Sequence, residues 1–153
     1  MNENKVKESN MVANGFLDAA YYLKKCEAKD MVLLGVYAPA YTANLAFACE
    51  LYFKQLLYIK GIDVTRIHGL KKLYEKIPQD MQNEIIIEYQ RNLQSEEKEI
   101  QSMTIQDCLD RYDTAFEDWR YIYEGNKKCN TTAEKDFFYM VEAVKIIADK
   151  KII

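Results

Sequence analysis

The stretch PAYTANLAFACELYFKQLLYIK, residues 39–60, is apolar on nearly every side when it is drawn as a helix. A helix that is hydrophobic all round is normally the buried one in an all-helical domain. The stretch carries one charged pair, Glu50 and Lys54, and it is too interrupted to span a membrane. We therefore predict a buried central helix over residues 39–60, with Gly61 as its left-handed C-terminal cap.

The composition indicates one helical domain. Apolar residues make up 49% of the 153 residues, which excludes a disordered chain, and the scarcity of turn residues (5 Gly and 2 Pro) favours long helices over an all-β fold. We expect residues 1–10, which are polar, to be frayed and residues 11–150 to form the single domain. The N-terminus lacks an apolar signal region, so we predict a cytoplasmic protein without a membrane partner.

Charge and cysteine content limit the classes of function. A net charge of −3 gives no global attraction to nucleic acid, although a local basic patch remains compatible with it. The four cysteines are far apart and the chain has a single histidine, so we predict neither a metal site nor a cofactor.

Apolar periodicity predicts the helices outside the central one. A stripe of Val12, Phe16, Ala19 and Leu23 predicts a helix over residues 11–28, and Pro39 separates a short piece, residues 31–37, from the central helix. Further helices are predicted over residues 70–77, 79–97, 105–123 and 132–150. Thr104 and the T-T-A-E of residues 131–134 are predicted helix caps. The predicted fold is all-α, an antiparallel up-and-down bundle of about five long helices plus short helical pieces.

Glu50 and Lys54 are the first candidates for a functional site. Their i,i+4 spacing places them on one helix face, and in so apolar a helix we expect the pair to be partly buried. A structural ion pair and a site member both fit this pattern. His68, the single histidine, lies in a loop and is the natural acid or base near neutral pH, although a local hydrogen-bonding role fits it equally.

The segment WRYIYE, residues 119–124, is the third candidate. Arg120 lies one helical turn from Glu117 and from Glu124, so these carboxylates could hold its guanidinium. A guanidinium fixed in this way binds a phosphate through two parallel hydrogen bonds. The same residues would equally form a salt-bridged polar face on a packed helix.

The order of these motifs resembles the HEPN superfamily (higher eukaryotes and prokaryotes nucleotide-binding) in a small stand-alone bacterial form. The E-L-x-x-K of residues 50–54 follows Asn44 and Ala48, the H-x-L of residues 68–70 comes after a short loop, and W-R-Y-x-Y-E at residues 119–124 ends a long helix. The resemblance covers roughly residues 40–125.

The resemblance implies a helical bundle that pairs as a homodimer with a groove at the subunit interface. Many HEPN domains are metal-independent endoribonucleases in toxin–antitoxin or phage-defence systems. Others bind nucleotides or RNA, or are non-catalytic partners of nucleotidyltransferases. The partner proteins that the resemblance implies for this chain are a nucleotidyltransferase or an antitoxin.

The chain departs from the nuclease motif of the family, which is Arg, four to six residues, then His. Arg120 has no histidine at that distance, so the sequence leaves open whether the domain is an enzyme. The favoured hypothesis is a module that binds a nucleotide or RNA phosphate. Its ligand-binding residues would be Glu50, Lys54, Arg120, Tyr121, Tyr123 and Glu124. One alternative is a metal-independent endoribonuclease with His68 and Arg120 as catalytic residues, and the other is a non-catalytic structural partner subunit.

Overall fold

The computed structural model describes residues 3–29, 34–95, 102–120 and 135–152. Over these ranges the chain contains seven helices and no strand, so the predicted all-α helical bundle is confirmed. The helices are α1 (Glu3–Lys29), α2 (Leu34–Ile59), α3 (Leu70–Tyr74), α4 (Gln79–Gln94), α5 (Ile105–Tyr112), α6 (Ala115–Arg120) and α7 (Lys135–Lys150). No helix in the described ranges is both long and apolar enough to cross a membrane.

Helix α2 is the central helix that its sequence predicted. It packs against α1, α3, α6 and α7, and its side chains at Leu45, Cys49, Tyr52, Phe53 and Leu56 are completely buried. Gly61 has φ of +74° and ends the helix, because Ile62 N donates a hydrogen bond back to Leu57 O. The predicted break at Pro39 is wrong, since α2 runs through it from Leu34. Pro39 is the sixth residue of α2, so its ring removes one hydrogen bond of the helix interior, to the carbonyl of residue 35.

Helix α1 lies antiparallel to α2. Lys5 sits over the Tyr58 ring, Asn10 donates to Gln55, and Phe16 packs edge-on against Phe47. The predicted frayed segment is helical from Glu3 onward, because Val6 is buried against the core and Lys5 binds Asp63. The buried stripe is also displaced from the predicted one: it consists of Val6, Ala13, Leu17 and Ala20, whereas Val12 is 40% exposed.

Helices α4 and α7 form an antiparallel pair on the other side of the core. Asn92 donates to Tyr139 O near one end of the pair, and Lys151 binds Glu84 near the other. Apolar spacing predicts an inward face of Met81, Ile85, Ile86, Tyr89 and Leu93 on α4; Met81, Ile85 and Tyr89 are buried, and Ile86 and Leu93 are partly buried. On α7 the predicted inward residues Phe137, Val141, Val144 and Ala148 are all buried. The predicted cap at residues 131–134 lies outside the described residues.

The long helix predicted over residues 105–123 is divided at Asp113 and Thr114. Helix α5 begins at the predicted cap, where Thr104 and Asp107 form a capping box, and it ends at Tyr112. Helix α6 restarts at Ala115, and residues 121–123 lie outside the described residues. The division has a structural reason, because Asp113 accepts hydrogen bonds from Leu70 N and Lys71 N at the start of α3.

Candidate functional site

The Glu50–Lys54 pair lies in the C-terminal half of α2 and is buried. Lys54 Nζ lies 2.8 Å from Glu50 Oε1, and the two side chains are only 8% and 7% exposed. Two charges in so apolar a setting must compensate each other closely, since an unpaired buried charge is costly. The expectation that the pair is at least partly buried is therefore confirmed.

His68 binds the same carboxylate from the loop after α2. Its Nδ1 lies 2.9 Å from Glu50 Oε1, while 64% of its side chain is exposed. A carboxylate only accepts hydrogen bonds, so Nδ1 carries the proton in this contact. The other ring nitrogen, Nε2, is thereby left for a ligand or for proton transfer, and the buried carboxylate fixes the orientation of the ring.

Asp113 and Gly69 position the loop that carries His68. Gly69 precedes α3 with φ of +93° and offers no side-chain cap. Asp113 supplies the cap instead: its carboxylate accepts from Lys71 N at 2.8 Å and its carbonyl from Leu70 N at 3.2 Å. A Cβ at position 69 would lie 3.3 Å from Asp113 Oδ1, so only glycine fits here without a shift.

A cleft of about 480 Å³ opens beside Glu50 and His68. Its walls come from α2, the loop after it, α3, the α5–α6 turn and α6. The residues that line it are Phe47, Glu50, His68, Gly69, Lys72, Asp113, Thr114, Phe116 and Glu117. We refer to it as the main cleft.

A second cleft of about 410 Å³, which we call the basic cleft, shares His68 and Lys72 with the first. Its remaining lining residues are Arg66, Ile67, Glu75 and Lys76. Arg66, Lys72 and Lys76 are exposed, and none of them forms an ion pair among the described residues. The neighbouring Lys71 differs, because it binds Asp110 at 2.6 Å, which raises the pKa of Lys71. Three unpaired cations therefore line the basic cleft, and His68 is shared by the two clefts.

The sequence-predicted residues divide into two groups. The structure brings Glu50, Lys54 and His68 together. The backbone of Arg120 ends α6, but its side chain lies outside the described residues, as do Tyr121, Tyr123 and Glu124. Whether His68 and Arg120 meet one phosphate therefore stays a prediction.

Sequence reasoning missed several of the residues that line the clefts. Lys71 and Lys72 are adjacent in the chain, and nothing in the sequence distinguishes the free lysine from the paired one. The role of Asp113 depends on residues 42 positions away, so no local pattern signals it. Glu117 was noted only as a possible partner of Arg120, yet it lines the main cleft.

A metal would need several donor side chains close together, and no group of three His, Cys, Asp or Glu is so arranged in the part of the chain that the structure describes.

Comparison with protein-family models, with curated proteins and with solved structures found no match for this chain.

Proposed function

We propose that this chain is a HEPN-like helical module that binds the phosphate of a nucleotide or of RNA at the junction of the two clefts. The observation that carries the proposal is the combination of an oriented, exposed His68 with the exposed and unpaired Lys72 at that junction. Arg66 and Lys76 extend the same cationic surface along the basic cleft.

The physical argument is that a phosphate needs donors that are not already neutralised. Charge-assisted hydrogen bonds from lysine, arginine or imidazolium to phosphate oxygens are stronger than neutral ones. Lys54 is unsuited to this role because Glu50 already holds it in the core. Lys72 is free to turn towards a ligand, and its partners in the basic cleft attract an anion although the whole chain is acidic.

The wider parts of the proposal rest on the family resemblance. In it, two chains form a homodimer, Arg120 grips the phosphate, and Tyr121, Tyr123 and Glu124 complete the groove. A toxin–antitoxin or phage-defence setting, with an antitoxin or nucleotidyltransferase partner, belongs to the same proposal.

A second candidate function, a metal-independent endoribonuclease, is favoured by the Glu50–His68 contact. A carboxylate that holds one imidazole nitrogen and leaves the other exposed is the arrangement by which histidine serves as a general base. In this mechanism His68 Nε2 takes the proton of an RNA 2′-hydroxyl, whose oxygen attacks the adjacent phosphorus. The bond to the 5′-oxygen breaks, that oxygen takes a proton from water, and a 2′,3′-cyclic phosphate remains.

Two neighbouring lysines provide the test of binding. Fluorescence anisotropy with a labelled single-stranded RNA, in EDTA, would compare Lys72→Ala with Lys71→Ala. Both changes remove one lysine from α3, but only Lys72 lines the clefts. We expect Lys72→Ala to weaken binding and to reduce the slope of log K against log salt concentration by about 0.7, the value for one phosphate contact on a single strand. Equal effects of the two substitutions, or no binding by the wild type, would contradict the proposal.

Gel analysis of the same samples would test the enzyme alternative. We expect the wild type to leave a cyclic phosphate on cut RNA if the alternative holds, and His68→Ala to abolish cutting while it retains the fold. RNA that stays intact with the wild type would rule out the nuclease reaction on that substrate and leave binding as the function.

A further inference from the structure

We infer that the main cleft recognises a guanine base, with the Glu117 carboxylate accepting two hydrogen bonds from the base edge. The inference rests on the proposed phosphate site and names the base that would lie beside it. Its physical basis is the uneven distribution of charge along the two joined clefts.

The main cleft is lined by cationic residues on some elements and by acidic and aromatic residues on others. Its junction with the basic cleft holds His68 and Lys72, whereas other parts of its lining are formed by the turn between α5 and α6 and the first residues of α6. That region contributes Asp113, Thr114 and Glu117 together with Phe116, which stacks on Phe47 at 4.3 Å between ring centroids. A ligand with an anionic end and a flat, partly apolar end that donates hydrogen bonds matches this arrangement, and a nucleotide has both.

Of the three carboxylates that line the main cleft, Glu117 is the one whose two oxygens both have no hydrogen-bond or ion-pair partner among the described residues. Glu50 is occupied by Lys54 and His68, and Asp113 accepts from Lys71 N. Glu117 is exposed and has no hydrogen bond or ion pair within the described ranges. No described residue competes with a ligand for its two carboxylate oxygens.

A carboxylate distinguishes guanine from the other bases by hydrogen-bonding pattern. The ionised group is an acceptor only, and its two oxygens can accept two parallel N–H donors. Guanine presents such a pair, N1–H beside the N2 amino group. Adenine and cytosine each present one amino group next to a ring-nitrogen acceptor, and uracil presents one N–H between two carbonyl acceptors. In those three bases at least one acceptor would face a carboxylate oxygen, which is repulsive.

The test is competition between 5′-mononucleotides and a labelled U-rich RNA bound to the full chain in EDTA. GMP, AMP, CMP and UMP share the phosphate and differ in the base, while IMP is GMP without the N2 amino group. We expect GMP to compete about tenfold better than AMP, CMP or UMP, since one or two charge-assisted hydrogen bonds separate them, and IMP to fall between.

Two variants locate the preference. Glu117→Gln should weaken GMP binding and strengthen AMP binding, because the amide replaces one acceptor by a donor and so matches the amino group and N1 of adenine. Glu8→Gln is the matched control, since Glu8 is an exposed carboxylate of α1 that lines neither cleft; it should retain the preference for GMP.

The outcomes separate this inference from the proposed function. Equal competition by all five nucleotides, or competition by none while the RNA itself binds, overturns guanine recognition and leaves the phosphate site standing. A GMP preference that survives Glu117→Gln overturns the assignment to Glu117. Failure of the wild type to bind either RNA or nucleotides overturns both proposals.

Discussion

Replacing Glu50 by Gln should destabilise the protein severely, because the change leaves Lys54 charged in the core without a countercharge. Glutamine has nearly the same volume as glutamate, so packing is retained and only the charge is removed. Removing one partner of a buried pair costs about 3–5 kcal/mol, and the 7% and 8% side-chain exposures of Glu50 and Lys54 place this pair in that class. For a domain of this size the melting temperature should fall by about 6–20 °C.

Urea unfolding followed by circular dichroism would measure the effect. The set should include Lys54→Met and the double variant Glu50→Gln/Lys54→Met. The double variant removes both charges, so its stability should return to within about 1–2 kcal/mol of the wild type, and the coupling between the two sites should be several kcal/mol. Arg91→Met is the control: Arg91 binds Glu88 one turn away but is 65% exposed, so the loss should be below about 1 kcal/mol.

The result that would refute the reasoning is a loss below about 1 kcal/mol in Glu50→Gln, the range of an exposed pair. It would mean that water reaches Lys54 in solution and that α2 is not closed around the pair. A double variant as unstable as the single ones would contradict the argument in another way, since the cost would then arise from packing and not from charge.

Other substitutions test the surroundings of the site and the bundle. Gly69→Ala should lower the unfolding free energy by about 1–3 kcal/mol because of its positive φ, and it should weaken RNA binding by displacing His68; unchanged anisotropy would contradict the second expectation. Thr104→Ala should cost about 1 kcal/mol in urea unfolding through loss of the capping box, whereas Thr104→Ser should retain the stability. Hydrogen bonds from Thr65 and Lys5 lower the pKa of Asp63 from 3.8 to about 2. Because the pKa of Asp63 is lower in the folded than in the unfolded chain, its carboxylate stabilises the fold at pH values above the unfolded pKa. This stabilisation is lost as the pH falls towards 2. The stability difference between wild type and Asp63→Asn should therefore shrink from pH 5 to pH 2, and a constant difference would refute the linkage.

Much of the fold follows from apolar periodicity, and the exceptions have physical causes. The inward faces of α4 and α7 were predictable because large apolar side chains recur there at helical spacing. In α1 the same rule selected Val12 and Phe16, but the helix buries Ala13, Leu17 and Ala20 most deeply. Alanine carries little weight in a hydrophobicity pattern, yet its small side chain lets two helix backbones approach closely.

The division of α5 from α6 could not be predicted from local pattern. The apolar spacing continues through Asp113 without a fault, and only the contact of Asp113 with Leu70 and Lys71 explains the turn. This contact satisfies N–H groups at the start of α3 that Gly69 cannot cap. Long-range capping of this kind leaves no periodic signal in either segment.

By itself, the sequence determined that the chain is helical, that residues 39–60 lie at its centre and that Glu50 and Lys54 form a pair within an apolar helix. The tertiary structure alone decided that His68 joins this pair, which residues line the clefts beside it and which of two adjacent lysines remains free. The reason is physical. Helix formation and helix burial depend on residues within a few turns, whereas a cleft is made by side chains from segments that meet only after the bundle has packed.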